Sequence, residues 1–282
     1  MAFNIIDYDK LLCGAIDMHL HPGPDSFKCR VDALEAAKQA KLAGMKGLVL
    51  KNHFYPTAPL AMMVNQLVPD FQVFGSVCLD DAMGGLNVHA VAYSARTGAK
   101  VVWMPTFDAE NQVRFSKGNR PFAAVSRNGQ LLPEVKQVIG ICARHDLLLE
   151  TGHSSASEAL LILREGQRQG VKHMVVTHAM IAPIRMTLPE MQGAVNTGAF
   201  IEFVYNALIG PNKEFTLAQY AAAIRAVGPA HCILSSDLGQ AANPLHPDGL
   251  TAFFAGLRKE GISQADIDLM SKANPARALG LQ

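Results

Sequence analysis

The stretch Asp17-Met18-His19-Leu20-His21-Pro22-Gly23-Pro24-Asp25 (DMHLHPGPD) closes an apolar run with two histidines and then breaks it with Pro-Gly-Pro. In an extended strand the side chains of residues i and i+2 point the same way, so Asp17, His19 and His21 are expected to share one face. Two imidazoles pointing together make half a metal site. Alone, a His-x-His at a strand end reads more readily as a solvated or hydrogen-bonded pair. Its meaning depends on whether the rest of the chain supplies further ligands.

The rest of the chain is a repeating unit. Short runs rich in Val, Ile and Leu lie near residues 14–20, 47–52, 73–79, 100–105, 146–151, 173–178, 199–205 and 231–236. Such continuous apolar runs suit strands buried on both faces of a parallel sheet. Between them are helix starts: Ser155 before Glu158, Thr187 before Glu190, Thr216 before Gln219 and Ser263 before Asp266 each place a hydroxyl three residues ahead of an acid or amide. Strand, loop and capped helix, repeated with right-handed crossovers, predict an α/β chain folded as a (β/α)8 TIM barrel, a single domain over residues 1–282. An open doubly wound sheet is the weaker choice. The one long interruption runs from about Phe107 to Pro133. Its turn signals at Lys117-Gly118-Asn119 and Arg127-Asn128-Gly129 predict a small hairpin excursion after the fourth strand.

Composition narrows the partners. With 49% hydrophobic and 17% charged residues and a net charge of +1, the chain is an ordinary globular sequence without the clustered Lys and Arg that nucleic acid requires. No apolar run reaches the length of a membrane span, and MAFNIIDYDK has no signal-peptide pattern, so a cytoplasmic protein is expected. The five scattered cysteines suit reduced thiols in a core. Oligomeric state stays open, a homo-oligomer included.

Polar residues gather at the C-terminal ends of the predicted strands, the face on which barrel enzymes build their sites. His19 and His21 end the first strand, Lys51 and His53 the second, His153 follows the fifth, His178 ends the sixth and Asp237 follows the eighth. Imidazoles and a carboxylate converging on the barrel axis suit Zn²⁺ or a related divalent ion with positions left for water. Arg185, in the loop after the sixth strand, could clamp a substrate carboxylate or sit on the surface. His246 falls in a loop at the same end, His173 at the opposite one, and His89, His145 and His231 read as structural. Trp103 and the methionines read as core filling.

In these residues the chain resembles the amidohydrolase superfamily of metal-dependent hydrolases, over nearly its whole length. The resemblance implies one or two divalent metal ions, zinc foremost, held by His19 and His21, by His153 in ETGHSS, by His178 in VTHAM and by Asp237 in SSDLG. The closing NPARALGL is similar to the family's last helix, with Asn274 expected as its N-cap and Pro275 in its first turn. The implied enzyme hydrolyses an amide, cyclic amide, lactone or related ester of a small molecule. Asp237 would ligate metal and carry the proton from attacking water to the leaving group. His53 and Arg185 are the expected substrate contacts.

One departure stands out. Many two-metal members take a carbamylated lysine from the fourth strand, which here ends WMPTFD without one. Lys51 stands instead on the second strand, in the inward register of His53. It reads equally as a carbamylated metal ligand or as an ammonium paired with Asp80 or Asp237. KNHF is also weakly similar to the Asp-His dipeptide of PHP-type phosphoesterases, with Lys51 where the acid should stand. The alternatives are therefore a decarboxylase or other lyase on the same ligands, a PHP-type phosphoesterase and, last, a metal-containing barrel that binds without catalysis.

Overall fold

All eight apolar runs become parallel strands that form one sheet in chain order. The computed structural model describes residues 11–281, so the opening MAFNIIDYDK, read for a targeting segment, lies outside the described residues. The strands are β1 (Ile16–Leu20), β2 (Gly47–Leu50), β3 (Gln72–Cys78), β4 (Ala99–Trp103), β5 (Leu148–Glu150), β6 (His173–Val176), β7 (Phe200–Val204) and β8 (Cys232–Ser235). The excursion after β4 is a short helix, Glu110–Phe115, followed by a hairpin pairing Ser126–Arg127 with Gln130–Leu131. The architecture is the expected (β/α)8 barrel. No helix among the described residues is long and apolar enough to cross a membrane.

The sequence signals act where they were placed. Ser155, Thr187 and Thr216 each close a capping box with the residue three positions on, and the Ser263 side chain accepts from the Asp266 N–H. Asn274 departs from expectation. The chain runs into the last helix, Asn274–Ala278, through a π-helical turn at Leu269–Ala273, and Ala273 takes the cap position. The Asn274 amide instead donates to the carbonyls of Pro229 (2.9 Å) and Cys232 (2.7 Å), tying this helix to the start of β8.

Two apolar layers hold the sheet. One lies between strands and helices. The other fills the barrel with at least one residue from every strand: Ile16, Met18, Val49, Cys78, Val101, Trp103, Leu148, Val175, Phe200 and Ile233.

Barrel closure falls to β1 and β8, and in it Asp17 departs from the face expected of it. The β1–β2 register shifts between Asp17 and Leu20, so Asp17 does not share a face with His19 and His21. Its buried carboxylate turns to the seam, accepting from Ser236 N (2.9 Å) and Ser236 Oγ (2.5 Å) and, more weakly, from His19 N (3.3 Å). Burial pushes this carboxyl up to about 6 despite its donors. The backbones interlock beside it: Asp237 N donates to His19 O and His21 N to Leu238 O, each at 2.8 Å. Asp17→Ala would take the side-chain acceptor from the N–H groups of Ser236 and His19 and leave the Ser236 hydroxyl only the His19 carbonyl, 3.1 Å away, a loss of about 2 kcal/mol at neutral pH, readable as a lower urea midpoint with unchanged slope.

Candidate metal centre and active site

The seam delivers three donor atoms to one point. His19 Nε2 and His21 Nε2 each lie 3.2 Å from Asp237 Oδ1 and 3.3 Å from each other. Ligand atoms around a tetrahedral zinc at its usual bond lengths are about 3.3 Å apart, so this triangle has the dimensions of one face of such a site. The chemistry agrees. His19 Nδ1 lies 3.2 Å from Glu202 Oε2, and the proton held there leaves the Nε2 lone pair facing Asp237 Oδ1 and the Lys51 Nζ, the tautomer in which an imidazole binds metal. Burial pushes His21 down to about 3, against the raising pull of Asp237. Burial raises Asp237 as well, but His19, His21 and His178 outweigh it and hold the carboxyl well below its ordinary value. A neutral His21 and an ionised Asp237 are the forms that bind metal.

His153 and His178 make a second pair, their Nε2 atoms 3.1 Å apart. Gln112 Oε1 lies 2.9 Å from His153 Nδ1 and holds the proton away from the pair. The buried His178 Nδ1 has no hydrogen-bond partner. Burial depresses both rings, His178 to about 4. His178 and Asp237 both adopt left-handed backbone, at φ 23° and 51°, a local strain that accompanies functional positions. Lys51 is buried, with Nζ 2.9 Å from His19 Nε2 and 4.3 Å over the Trp103 ring. Its ammonium end thus meets His19 and Trp103 instead of the expected carboxylates Asp80 or Asp237.

The expected substrate contacts divide. His53 lines the cavity, its Nδ1 held by Asp80 Oδ2 (3.1 Å) and Thr106 Oγ1 (2.8 Å). Asp80 also accepts from Thr106 N (2.7 Å), Thr106 Oγ1 (2.6 Å) and Asp108 N (3.0 Å). Although burial raises it, these partners pull its carboxyl below the usual range. Cys78 Sγ lies 3.2 Å from Asp80 Oδ2. His53, Cys78 and Asp80 therefore have the donor types of a second metal cluster, but the carboxylate oxygens are already committed to protein donors. Arg185 is exposed, stacks 5.3 Å from the Phe115 ring and is not among the cavity-lining residues. His246 is buried at the start of the helix His246–Lys259, and burial pushes it down to about 3.

The metal-type side chains open into a cavity of about 630 Å³ whose wall includes Phe27, Phe107 and Ile181 and the carboxamides of Gln112, Asn206 and Gln240. Glu202 and Asn206 were not singled out from the sequence, and Asp80 was named only as a partner for Lys51. Each carries a readable signal: a charge inside the apolar FIEFV, and polar residues just past the runs FGSVCL and FIEFVY.

Comparison with known proteins agrees on the fold. A family model described as a family of unknown function (DUF6282) matches residues 14–202. A search of curated proteins gives no match. Among solved structures, an amidohydrolase from Pseudomonas aeruginosa is 12% identical with a TM-score of 0.68, covering 97% of each chain. YJJV, a TatD homologue from Escherichia coli, is 14% identical with a TM-score of 0.64, over 96% of this chain and 99% of that one. A 2,6-dihydroxybenzoate decarboxylase from Rhizobium is 13% identical with a TM-score of 0.56, over 95% and 99%. The barrel expected from the amidohydrolase resemblance is the barrel these proteins share.

Gly239 locks the geometry. At φ 130° it packs so close to the His21 carbonyl that an added Cβ would lie 1.9 Å from that oxygen. Gly239→Ala must displace His21 and is expected to cost more than about 2 kcal/mol. Gly198→Ala, at φ 91° with open space around it, should cost only the backbone strain of about 1 kcal/mol. Paired calorimetric scans read the difference.

Proposed function

The chain belongs to the family of unknown function DUF6282, and on that premise we propose that it is a metal-dependent hydrolase of the amidohydrolase type, acting on an amide, cyclic amide, lactone or related ester of a small molecule. The observation that carries this reading is the triangle of His19, His21 and Asp237, three metal-type donors converging with the spacing of ligand atoms. They would hold one divalent ion, zinc foremost, and His153 with His178 would hold a second. Such an ion, when bound, acidifies water and polarises a scissile carbonyl.

The protein's own groups divide the remaining work. Asp237, held ionised by the histidines around it, takes the proton of the attacking water and returns it to the leaving group. His53, with Nδ1 turned to Asp80 and Thr106, offers Nε2 to substrate in the cavity. Lys51, carbamylated, would add an anionic ligand between two ions; with a single ion it would donate a hydrogen bond to substrate. The scattered, unpaired cysteines support a reducing, cytoplasmic compartment.

Purified protein is expected to carry about one to two equivalents of Zn²⁺, Mn²⁺ or Fe²⁺, and His19→Ala to lose most of it. Unchanged metal content in that variant would overturn the assignment. Lys51→Ala should lower metal stoichiometry, and bicarbonate should raise metal uptake in wild type but not in the variant; a freely replaceable Lys51 would make it structural. A lyase on the same ligands is the second reading, supported by the fold shared with the Rhizobium decarboxylase. A screen of lactones, cyclic amides and aromatic carboxylates separates the two, since hydrolysis releases acid or amine and decarboxylation releases carbon dioxide.

A further inference from the structure

Beyond the ligands, three carboxamides form a closed ring that starts and ends on Asp237. Gln240 Nε2 donates to the Asp237 backbone carbonyl at 3.2 Å. A carbonyl only accepts, so this contact fixes which end of the Gln240 amide faces which way. Gln240 Oε1 then faces Asn243, whose Nδ2 donates to it at 2.8 Å and to Asn206 Oδ1 at 3.1 Å. Asn212 Nδ2 adds a second donor to Asn206 Oδ1 at 3.3 Å. With its oxygen so committed, Asn206 turns Nδ2 to Asp237 Oδ2, 3.3 Å away. Oδ1 of the same carboxylate faces His19 and His21.

We infer that Asn206, oriented through Asn243 and Gln240, is the positioning residue for Asp237: it holds Oδ2 so that Oδ1 stays on the two histidines. The ring draws on two loops, since Asn206 follows β7 while Gln240 and Asn243 follow β8, and Asn206 N is anchored on Ser236 O at 3.1 Å. Asn206 and Asn243 are both buried, which limits the water that can compete for their amides. Oδ1 has the two imidazoles beside it, and the Asn206 amide is the donor that faces Oδ2. The effect on metal affinity rests on the metal reading proposed above; the effect on the rotamer does not.

Two measurements on Asn206→Leu, Asn243→Leu, their double variant and the more exposed Gln240→Leu test the ring. In metal-free crystals grown with chelator, Asp237 should occupy one rotamer in wild type and shift or split in Asn206→Leu and in any other variant that folds; one unchanged rotamer throughout overturns the inference. In zinc titrations against a chromogenic chelator, each single variant should bind about 10- to 100-fold more weakly than wild type. The double should be no weaker than the worse single, because the residues act through one ring. Wild-type affinity per folded molecule, or strictly additive losses, would reduce these residues to packing. If neither wild type nor His19→Ala binds metal, the metal reading fails while the rotamer result still decides the ring.

Discussion

The seam between the first and last strands is the constraint on which the site depends. A barrel of parallel strands must join its ends, and this one does so where DMHLH meets SSDLG. Asp17 takes the donors of Ser236, while the backbones of His19 and His21 interlock with those of Asp237 and Leu238. Residues 220 positions apart in sequence, roughly, are thereby fixed at hydrogen-bond range. The donor triangle is a by-product of closure: joining the strands by any other register would move Asp237 off both imidazoles.

The site also balances charge in a dry interior. Glu202 and Glu150 are buried near one another. Burial and the charge of Glu202 push Glu150 up towards its neutral form, while His19 and His178 overcome burial to keep Glu202 low. Glu202 can therefore accept from His19 Nδ1 and from the His178 backbone N–H, the latter at 3.0 Å, holding the His19 ring and the His178 main chain at once. Lys51 Nζ reaches the triangle at its His19 corner, with the face of Trp103 beneath it.

How much of this is legible in the sequence follows from the range of each signal. The eight strands are readable because each is a local apolar run, and the caps because they span four residues. His19, His21, His153, His178 and Asp237 could be gathered because strand ends in a barrel point to one face. Asp17 was misplaced because a register shift inside β1 leaves no mark in its composition. Asn274 looked like a cap, yet its amide is spent on Pro229 and Cys232, a contact across more than forty positions. Arg185 shows the converse: the right loop does not guarantee the right direction, and its guanidinium goes to Phe115. The carboxamide ring was invisible because Asn206, Gln240 and Asn243 are ordinary loop residues until two loops meet.

The thiol of Cys78 gives the neighbourhood of His53 a further property. Burial, and the negative charge of Asp80 beside it, push this thiol well above its ordinary value, so it stays protonated across physiological pH. Nucleophilic attack on peroxide and exchange with disulfides both proceed through thiolate. A cysteine held in its thiol form can therefore sit beside an acid–histidine pair without becoming the chemical weak point of the cavity. Air oxidation would reach the exposed Cys13 first, leaving the chemistry at the barrel mouth intact.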